Sequence, residues 1–571
     1  VTVAKLAAPL GAGRRAWGWL AEPGRRIPVV SATMGLLWTV IMLCRLFVGG
    51  AVGLADNFDG HRLMCQLQVA SVPNGHDVWA YLNPVYDTHV WYGEACSAGG
   101  TGEPYYSSEW YFLWLAKLLT PLFGYHHALD LRMLGIVVSV FFGVAIGLIC
   151  AALPLPVWVR VLVVSLIGLF TADSAIAPYF ISPLSEPAAI IGMLFIIAAL
   201  LRLLRRNYAT VSDLLLVSAA VLWTVVAKTQ TITMFAGVLP AMLIRPVRFP
   251  LLAKVFRRRR EPEMGPEPRP RLARRLVVGG LRRTPAFAIC GLLVFGCLQF
   301  SASQSRWLTE IYYFHQVFET ILPLGSDPEQ DLKDLGVDES LAKYNGESIL
   351  ALSGPGEVPQ GYREFLDTMS MGKIVEFYAT HPGRIFAVLD KGLDAVTEAR
   401  PGYLGNYLPD SGEPAYAHEN RVFVGEALFT LFRPLRWVVF PVLWLGSLAL
   451  GLWLAFHRRL GASGRGIGWV LAAMSLNTMA QLASVLLSDG MNDIVKHSVF
   501  VVYSTYLLFP LLVAALGALD KIGRPDQFLP DQRLPNTGVP WPWQRKRLRR
   551  EERIRQEARR AAERERELEP V

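Results

Sequence analysis

The sequence predicts an all-α polytopic membrane protein with about ten transmembrane helices and two large extracytoplasmic loops. Three observations point there. Of 571 residues, 52% are hydrophobic and only 18% are charged, and the mean hydropathy is +0.33; a soluble chain of this length would divide into several more highly charged domains. The apolar residues gather into runs of roughly 17–25, the length that carries a helix through a bilayer. The basic clusters recur at alternate ends of those runs, as the positive-inside asymmetry of membrane proteins requires.

In chain order, a tail over 1–27 carries Lys5, Arg14, Arg15, Arg25 and Arg26 and precedes a first span over 28–54. That run is too long for a signal-peptide core and lacks a small-x-small cleavage site, so it reads as an uncleaved signal anchor. An extracytoplasmic loop over 55–132 follows. Within it, "EWYFLWLAKLLTPLFG" (109–124) has Glu109 and Lys117 as its only charges. It reads as a helix lying in the membrane interface, with Trp110, Tyr111 and Trp114 at headgroup depth. Spans two to six fall at 133–153, 157–172, 184–201, 211–227 and 229–244, the last two short and almost touching at Lys228. A loop over 245–284 containing "EPEMGPEPRPR" is rich in proline and charge and predicts disorder. Span seven covers 285–302. A second large extracytoplasmic loop over 303–431 alternates helical pieces such as "YREFLDTMSMGKIVEFYATHP" with turn-rich "LGNYLPDSGEP". It is large enough to form a lid or small domain over the membrane. Spans at 432–455, 467–487 and 499–519 precede a basic tail over 520–571.

With ten spans, Arg202, Arg205 and Arg206, the run "KVFRRRR", Arg458 and Arg459, and the tail "RKRLRREERIRQEARR" all fall on the side of the N-terminal tail, which is then cytoplasmic. The net charge of +9 is therefore a topology signal, and no nucleic-acid partner is expected. Four of the six cysteines, Cys44, Cys150, Cys290 and Cys297, lie inside spans. Cys65 and Cys96 share the first external loop, where oxidation is permitted, and are expected to pair; two free thiols are the alternative. No Walker motif, dinucleotide glycine fingerprint, zinc-type Cys/His cluster or inverted hydropathy repeat appears.

Four polar sets stand at the external ends of the spans. Asp56 and Asp59 follow span one in "GLADNFDGHR". Asp173 and Glu186 flank the turn between spans three and four in "TADSAIAPYFISPLSEPAA". Lys228 marks the turn between spans five and six. Asp489, Asp493, Lys496 and His497 lie between spans nine and ten in "LLSDGMNDIVKHS". An acid after a span is most often a solvated helix end. Four such sets on one face, beside the two large loops, point instead to a site.

This layout resembles the GT-C superfamily of membrane glycosyltransferases, which use lipid-phosphate-linked sugars. The first large loop with its interfacial helix at 109–124, the acidic position after span one in "ADNFD", the second acidic position at Asp173 with Glu186, and the large loop between spans seven and eight carry the resemblance. It covers roughly 28–455 and is similar in particular to bacterial multi-span proteins of cell-surface glycan assembly. "DN" stands where relatives of that superfamily commonly carry paired acids. The resemblance implies a transferase of a hexosyl or pentosyl group in a bacterial plasma membrane. Its partners would be a polyprenyl-phosphate sugar donor, a glycan or lipid-linked acceptor, and membrane lipids.

Sugar transfer needs a base for the acceptor hydroxyl and positive charge for the departing phosphate. Asp56 is the expected base, with Asp59 as a helper. Lys228 is the first choice for the phosphate, with Arg400, Lys496 and His497 as further candidates. A divalent cation, Mg2+ or Mn2+, is the one cofactor this set admits, with Asp56 and Asp173 as its oxygen ligands. Two other classes compete: a transporter or flippase of lipid-linked glycans, which would place ionisable groups at mid-membrane depth, and a non-catalytic scaffold recruiting partners through the basic tail. Arg45 and Asp213 are the main charges that fall within the runs.

Overall fold

The computed structural model describes residues 23–49, 59–69, 90–92, 105–248, 280, 282–349, 360–405, 407, 412–414, 417–520 and 522. The chain divides into two compact units. One, Val1–Val29 with Asp526–Val571, is described only over 23–29, where the first helix begins. The other, Val30–Pro525, is a helical bundle.

Helix α1 (Pro23–Phe47) is followed by α2 (Asp59–Gln66), the short strand β1 (Val90–Tyr92), α3 (Glu109–Leu119) and β2 (Ala128–Asp130). The bundle then runs through α4 (Leu131–Ala152), α5 (Val157–Thr171), α6 (Glu186–Leu204), α7 (Val211–Ala227), a 3-10 segment Thr229–Met234, α8 (Phe235–Ile244) and α9 (Thr284–Ala302). The second large loop holds α10 (Arg306–Phe314), a π-helical turn His315–Ile321, α11 (Pro328–Asp334), α12 (Tyr362–Thr368), α13 (Met371–Thr380), α14 (Pro382–Glu398) and α15 (Val424–Phe432). It returns to the bundle at α16 (Arg436–Phe456), α17 (Ala462–Leu487), the single turn α18 (Ile494–His497) and α19 (Val499–Leu519). Among the described residues, seven helical stretches are long and apolar enough to cross a membrane: Arg26–Phe47, Leu131–Ala152, Glu186–Leu204, Thr284–Ala302, Val424–Phe456, Ala462–Leu487 and Ile494–Leu519. Three shorter apolar helices lie over Val157–Thr171, Val211–Ala227 and Thr229–Ile244.

Local chemistry sets the element ends. Helix α7 opens on a capping box in which Thr210 and Asp213 exchange side-chain and backbone bonds. It ends at Lys228, whose extended backbone (φ −151, ψ 122) breaks the apolar run over 211–244 into two helices. The stretch expected as one interfacial helix over 109–124 is α3 plus a 3-10 turn Thr120–Phe123, stopped by Gly124 in the left-handed conformation. Strand β1 pairs antiparallel with β2, a small exception to an all-α fold. Helix α1 ends at Phe47, short of the boundary at 54 expected from hydropathy alone.

Close helix contacts rest on small residues. A Cβ on Gly143 of α4 would stand 1.8 Å from Thr39 Oγ1 and 2.5 Å from the Gly35 carbonyl, so α1 and α4 touch through backbone. A Cβ on Gly468 of α17 would likewise stand 2.6 Å from the Gly451 carbonyl of α16.

The bundle has two chemically different ends. At one, arginines hold the closing turns of helices. Arg202 pairs with Asp213 at 2.9 Å, Arg245 donates to the Leu204 and Ala462 carbonyls at 3.1 and 2.9 Å, and Arg283 donates to the Leu243 carbonyl at 3.1 Å. Cations at helix C-termini are favoured by the helix dipole. The other end gathers acids, histidines and the lysines Lys228 and Lys496, with Arg45 and Arg400 beside them.

Candidate functional site

Lys228 and Glu186 come together from separate elements. The lysine closes α7 and the acid opens α6, where "SEP" places a proline in the first turn. Lys228 Nζ donates to Glu186 Oε1 at 2.5 Å, with the carboxylate fully buried and the lysine slightly open. A third element, α3, locks this corner. The Ser108 amide donates to the Val226 carbonyl at 3.2 Å, and the Ser107 hydroxyl donates to the Ala227 carbonyl at 2.7 Å. Glu109 enters beneath: its Oε2 accepts from the Ala188 amide of α6 at 2.8 Å, while Oε1 is buried without a partner among the described residues. Burial holds Glu109 well above the usual carboxylate range, and the nearby charge of Glu186 pushes it the same way. The sequence offered Glu109 only as a charge on an interfacial helix; it is instead a wholly buried group under the Glu186–Lys228 pair.

A second cluster joins the loop between α17 and α19 to the π-helical turn. Asp489 accepts from His315 Nδ1 at 2.6 Å and from His497 Nε2 at 2.8 Å. Burial opposes ionisation of Asp489, but the two imidazoles overcome it and hold the carboxyl well below its usual range. The far face of His315 meets Ser348 Oγ at 3.3 Å and Glu319 at 3.5 Å. Asn492 Nδ2 donates to both Glu319 oxygens at 3.1 and 3.0 Å. Gly490, at φ +61, lets the loop pass against Thr320, where a Cβ would stand 2.0 Å from Oγ1. The two clusters are neighbours: Gln230 Nε2 donates to the His497 carbonyl at 3.1 Å, and Lys228 Nζ lies 6.0 Å from the centre of the Phe500 ring.

A third network lies beside them. Asp173 is completely buried, its Oδ1 accepting from the Ala175 amide at 3.1 Å and its Oδ2 from the Gly425 amide at 2.6 Å, so that it caps α15. Arg45, near the end of α1, donates to the Ala172 carbonyl at 3.0 Å and to the Ser174 hydroxyl at 2.9 Å, and pairs with Glu419. Glu419 also accepts from the Arg421 amide at 2.6 Å and its Nε at 2.9 Å. Arg400 donates to the Glu419 carbonyl at 2.8 Å and Asn420 Oδ1 at 2.8 Å, and reaches Glu426 at 3.3 Å.

Of the residues selected from sequence, Glu186, Lys228 and His497 therefore share one corner, and Lys496 is buried on the single turn that ends in His497. Asp173 and Arg400 belong to the network that holds the second large loop on the bundle. Asp173, with both oxygens bonded to backbone amides and no exposure, does not fit the role of a cation ligand. No group of three or more His, Cys, Asp or Glu side chains suited to a metal ion occurs among the described residues. Asp56 lies outside the described residues, and Asp59 is described only as the first backbone position of α2. Cys65 is disulfide-bonded, and its expected partner Cys96 lies outside the described residues. His315, Glu319, Glu109 and Glu419 were not singled out from sequence. The His315–Glu319 spacing of four, one helical turn, was the one available hint.

Asp173 gives a pH signature. Burial, helped by the charge of Glu426, raises its carboxyl to about 6 against the opposing backbone bonds from Ala175 and Gly425. The folded state thus binds this proton more tightly than the unfolded chain, whose aspartates titrate near 4. The contribution is full below about pH 4 and is lost as pH rises through about 6. The stability difference between the natural protein and Asp173→Asn should fall by about 3 kcal/mol over that window. Melting temperatures of both proteins in detergent at pH 4 and 7 check this; a difference that does not change with pH contradicts it.

Residues 22–524 match the family model described as YfdI N-terminal transmembrane domain. No curated protein and no solved structure matches the chain.

Proposed function

The chain belongs to the family of the YfdI N-terminal transmembrane domain, and we propose that it is an integral-membrane glycosyltransferase of GT-C type. It moves a hexosyl or pentosyl group from a polyprenyl-phosphate donor to a surface glycan or lipid-linked acceptor on the extracytoplasmic face of a bacterial plasma membrane. One observation carries the reading. A lysine, buried acids and an Asp-bridged histidine pair, drawn from the 228–230 turn, α6, the loop before α19 and the second large loop, meet at the bundle end opposite the arginine-capped end.

In this reading the seven long helical stretches and the three shorter ones make ten passes, with both chain ends cytoplasmic. Helix α3 lies in the interface, its exposed Tyr111, Trp114 and Leu118 against lipid and its Glu109 under the site. The acceptor hydroxyl oxygen attacks the anomeric carbon as the bond from that carbon to the phosphate oxygen breaks. Asp56 takes the hydroxyl proton, and the electron pair of the broken bond stays on the phosphate, where Lys228 balances its charge. A single displacement inverts the anomeric centre.

The charges that fall within the apolar runs favour transfer over transport. Arg45, Arg160 and Asp213 are helix-end groups, bound to Glu419, to the Leu155 and Cys150 carbonyls, and to Arg202; none of the three lines a path at mid-membrane depth of the kind a transporter needs. The test incubates the purified protein in nanodiscs with synthetic polyprenyl-phosphate sugars and follows release of polyprenyl phosphate. Turnover is expected, with Asp56→Asn slower by about 10²–10⁴-fold. Translocation of the intact donor in proteoliposomes with no sugar transfer would favour the transporter instead.

A further inference from the structure

We propose that His497 is the acid that protonates the departing phosphate through Nδ1, with Asp489 as its positioning residue; this rests on the glycosyl-transfer reading above.

The loop that presents His497 is built around a conformation that needs support. Asp493 sits at φ +42 and ψ 38, a left-handed backbone that disfavours residues with a Cβ. The contacts that hold it there include a bond from Tyr403 Oη to Asp493 Oδ2 at 2.5 Å and one from the His497 amide to the Asp493 carbonyl at 3.1 Å. The resulting turn brings the chain back on itself, so that His497 lies over Asp489, eight residues earlier in the sequence.

The two imidazoles on Asp489 are unlike. A carboxylate accepts only, so the ring N–H groups it binds are Nδ1–H of His315 and Nε2–H of His497. His315 is closed on its other side by Ser348 and Glu319. The side chain of His497 is 16% exposed, and its Nδ1 has no hydrogen-bond partner among the described residues. Its backbone carbonyl is tied through Gln230 to the turn that carries Lys228. A buried anion that fixes one ring nitrogen and leaves the other open is the arrangement by which an imidazole is oriented for proton transfer.

The balance of the step is simple. As the bond from the anomeric carbon to the phosphate oxygen breaks, its electron pair remains on that oxygen, and the proton on Nδ1 of protonated His497 moves to it. The neutral imidazole keeps Nε2–H on Asp489 and regains its proton from water. The titratable or charged groups on the elements around it are Asp489, His315, Glu319, Lys228, Glu186 and Tyr403, with Arg384, Asp390, Lys391, Asp394 and Glu398 on α14, which packs against this turn, and Asp493 and Lys496 on its own segment.

The test uses the full chain in nanodiscs and two readouts across pH 5.5–8.5: sugar transfer from a polyprenyl-phosphate sugar, and affinity for farnesyl phosphate with farnesol as the uncharged control. The natural protein should bind farnesyl phosphate more weakly as pH rises and should lose transfer on the same alkaline limb. His497→Gln should flatten the pH dependence of phosphate affinity and slow transfer by about 10²-fold, with farnesol binding unchanged. Asp489→Asn should lower kcat by about 10²–10⁴-fold with KM nearly constant. His497→Gln with the pH dependence of the natural protein in phosphate affinity, whether or not transfer occurs, overturns the proposal. If the natural protein turns over no polyprenyl-phosphate sugar, the transferase reading fails, and the farnesyl phosphate arm still decides whether His497 holds phosphate.

Discussion

Replacing Lys228 by methionine is expected to slow sugar transfer by about 10²–10³-fold, the scale seen when a donor aimed at developing negative charge is removed. Methionine keeps the length and the apolar contact with Phe500 and removes only the ammonium. The substitution has a second consequence. Glu186 is buried and its Oε1 is held by Lys228 at 2.5 Å, with the equally buried Glu109 close by. Stripping away the cation leaves a carboxylate without its counter-charge, which costs about 3–5 kcal/mol when a buried pair is broken from one side. Lys228→Met should therefore melt at lower temperature as well as turn over slowly. The double variant Glu186→Gln/Lys228→Met separates the two effects, because it removes both charges: stability should return toward that of the natural protein, and transfer should remain low. Recovery of transfer in the double variant would show that Lys228 matters only as a partner for Glu186.

Arg45→Met is expected to be among the most destabilising single changes in the bundle, by about 3–5 kcal/mol. Arg45 is the point where the first helix, the turn after α5 and the last stretch of the second large loop meet. Its guanidinium reaches the Ala172 carbonyl, the Ser174 hydroxyl and Glu419. Without it, Glu419 keeps Arg421 but loses its buried partner, and the Ala172 carbonyl and Ser174 lose their donors. The effect should appear as a lowered melting temperature in detergent and as proteolytic cleavage within 401–423. A double-mutant cycle with Glu419→Gln should give a coupling of at least about 1 kcal/mol. Additive effects would mean that the two side chains do not stabilise one another.

Much of this architecture is legible in the sequence because hydropathy and charge are local. The apolar runs correspond to helices, and the break at Lys228 follows from a polar residue between two short runs. Among the described residues, Arg202, Arg245 and Arg283 stand at one end of the bundle, bound to Asp213 and to helix carbonyls; the runs 254–260 and 545–560 lie outside the described residues. That Glu186 and Lys228 stand at one end also follows from counting spans. Their direct pairing does not, since it depends on how α6 and α7 rotate about their own axes. Partners far apart in the chain are less visible still. Nothing around Arg45 announces Glu419, and nothing in "LLSDGMND" announces that Asp489 will take His315 from the second large loop. Asp173 and Arg400 show the converse. Their residue types suit catalysis and phosphate binding, yet Asp173 accepts from backbone amides and Arg400 donates to the Glu419 carbonyl, Asn420 and Glu426, contacts that fasten the second loop. Glu109 is not legible as a buried group either, because hydropathy does not say which way an acid on a short apolar helix turns; it faces inward to the α6 amino terminus.

The most direct measurement is an experimental structure of the protein with a bound polyprenyl-phosphate sugar. The donor phosphate is expected within hydrogen-bond reach of Lys228 Nζ and beside the ring of His497, with the sugar turned toward the segment that carries Asp56. A phosphate seated instead at the opposite end, among Arg202, Arg245 and Arg283, would contradict it.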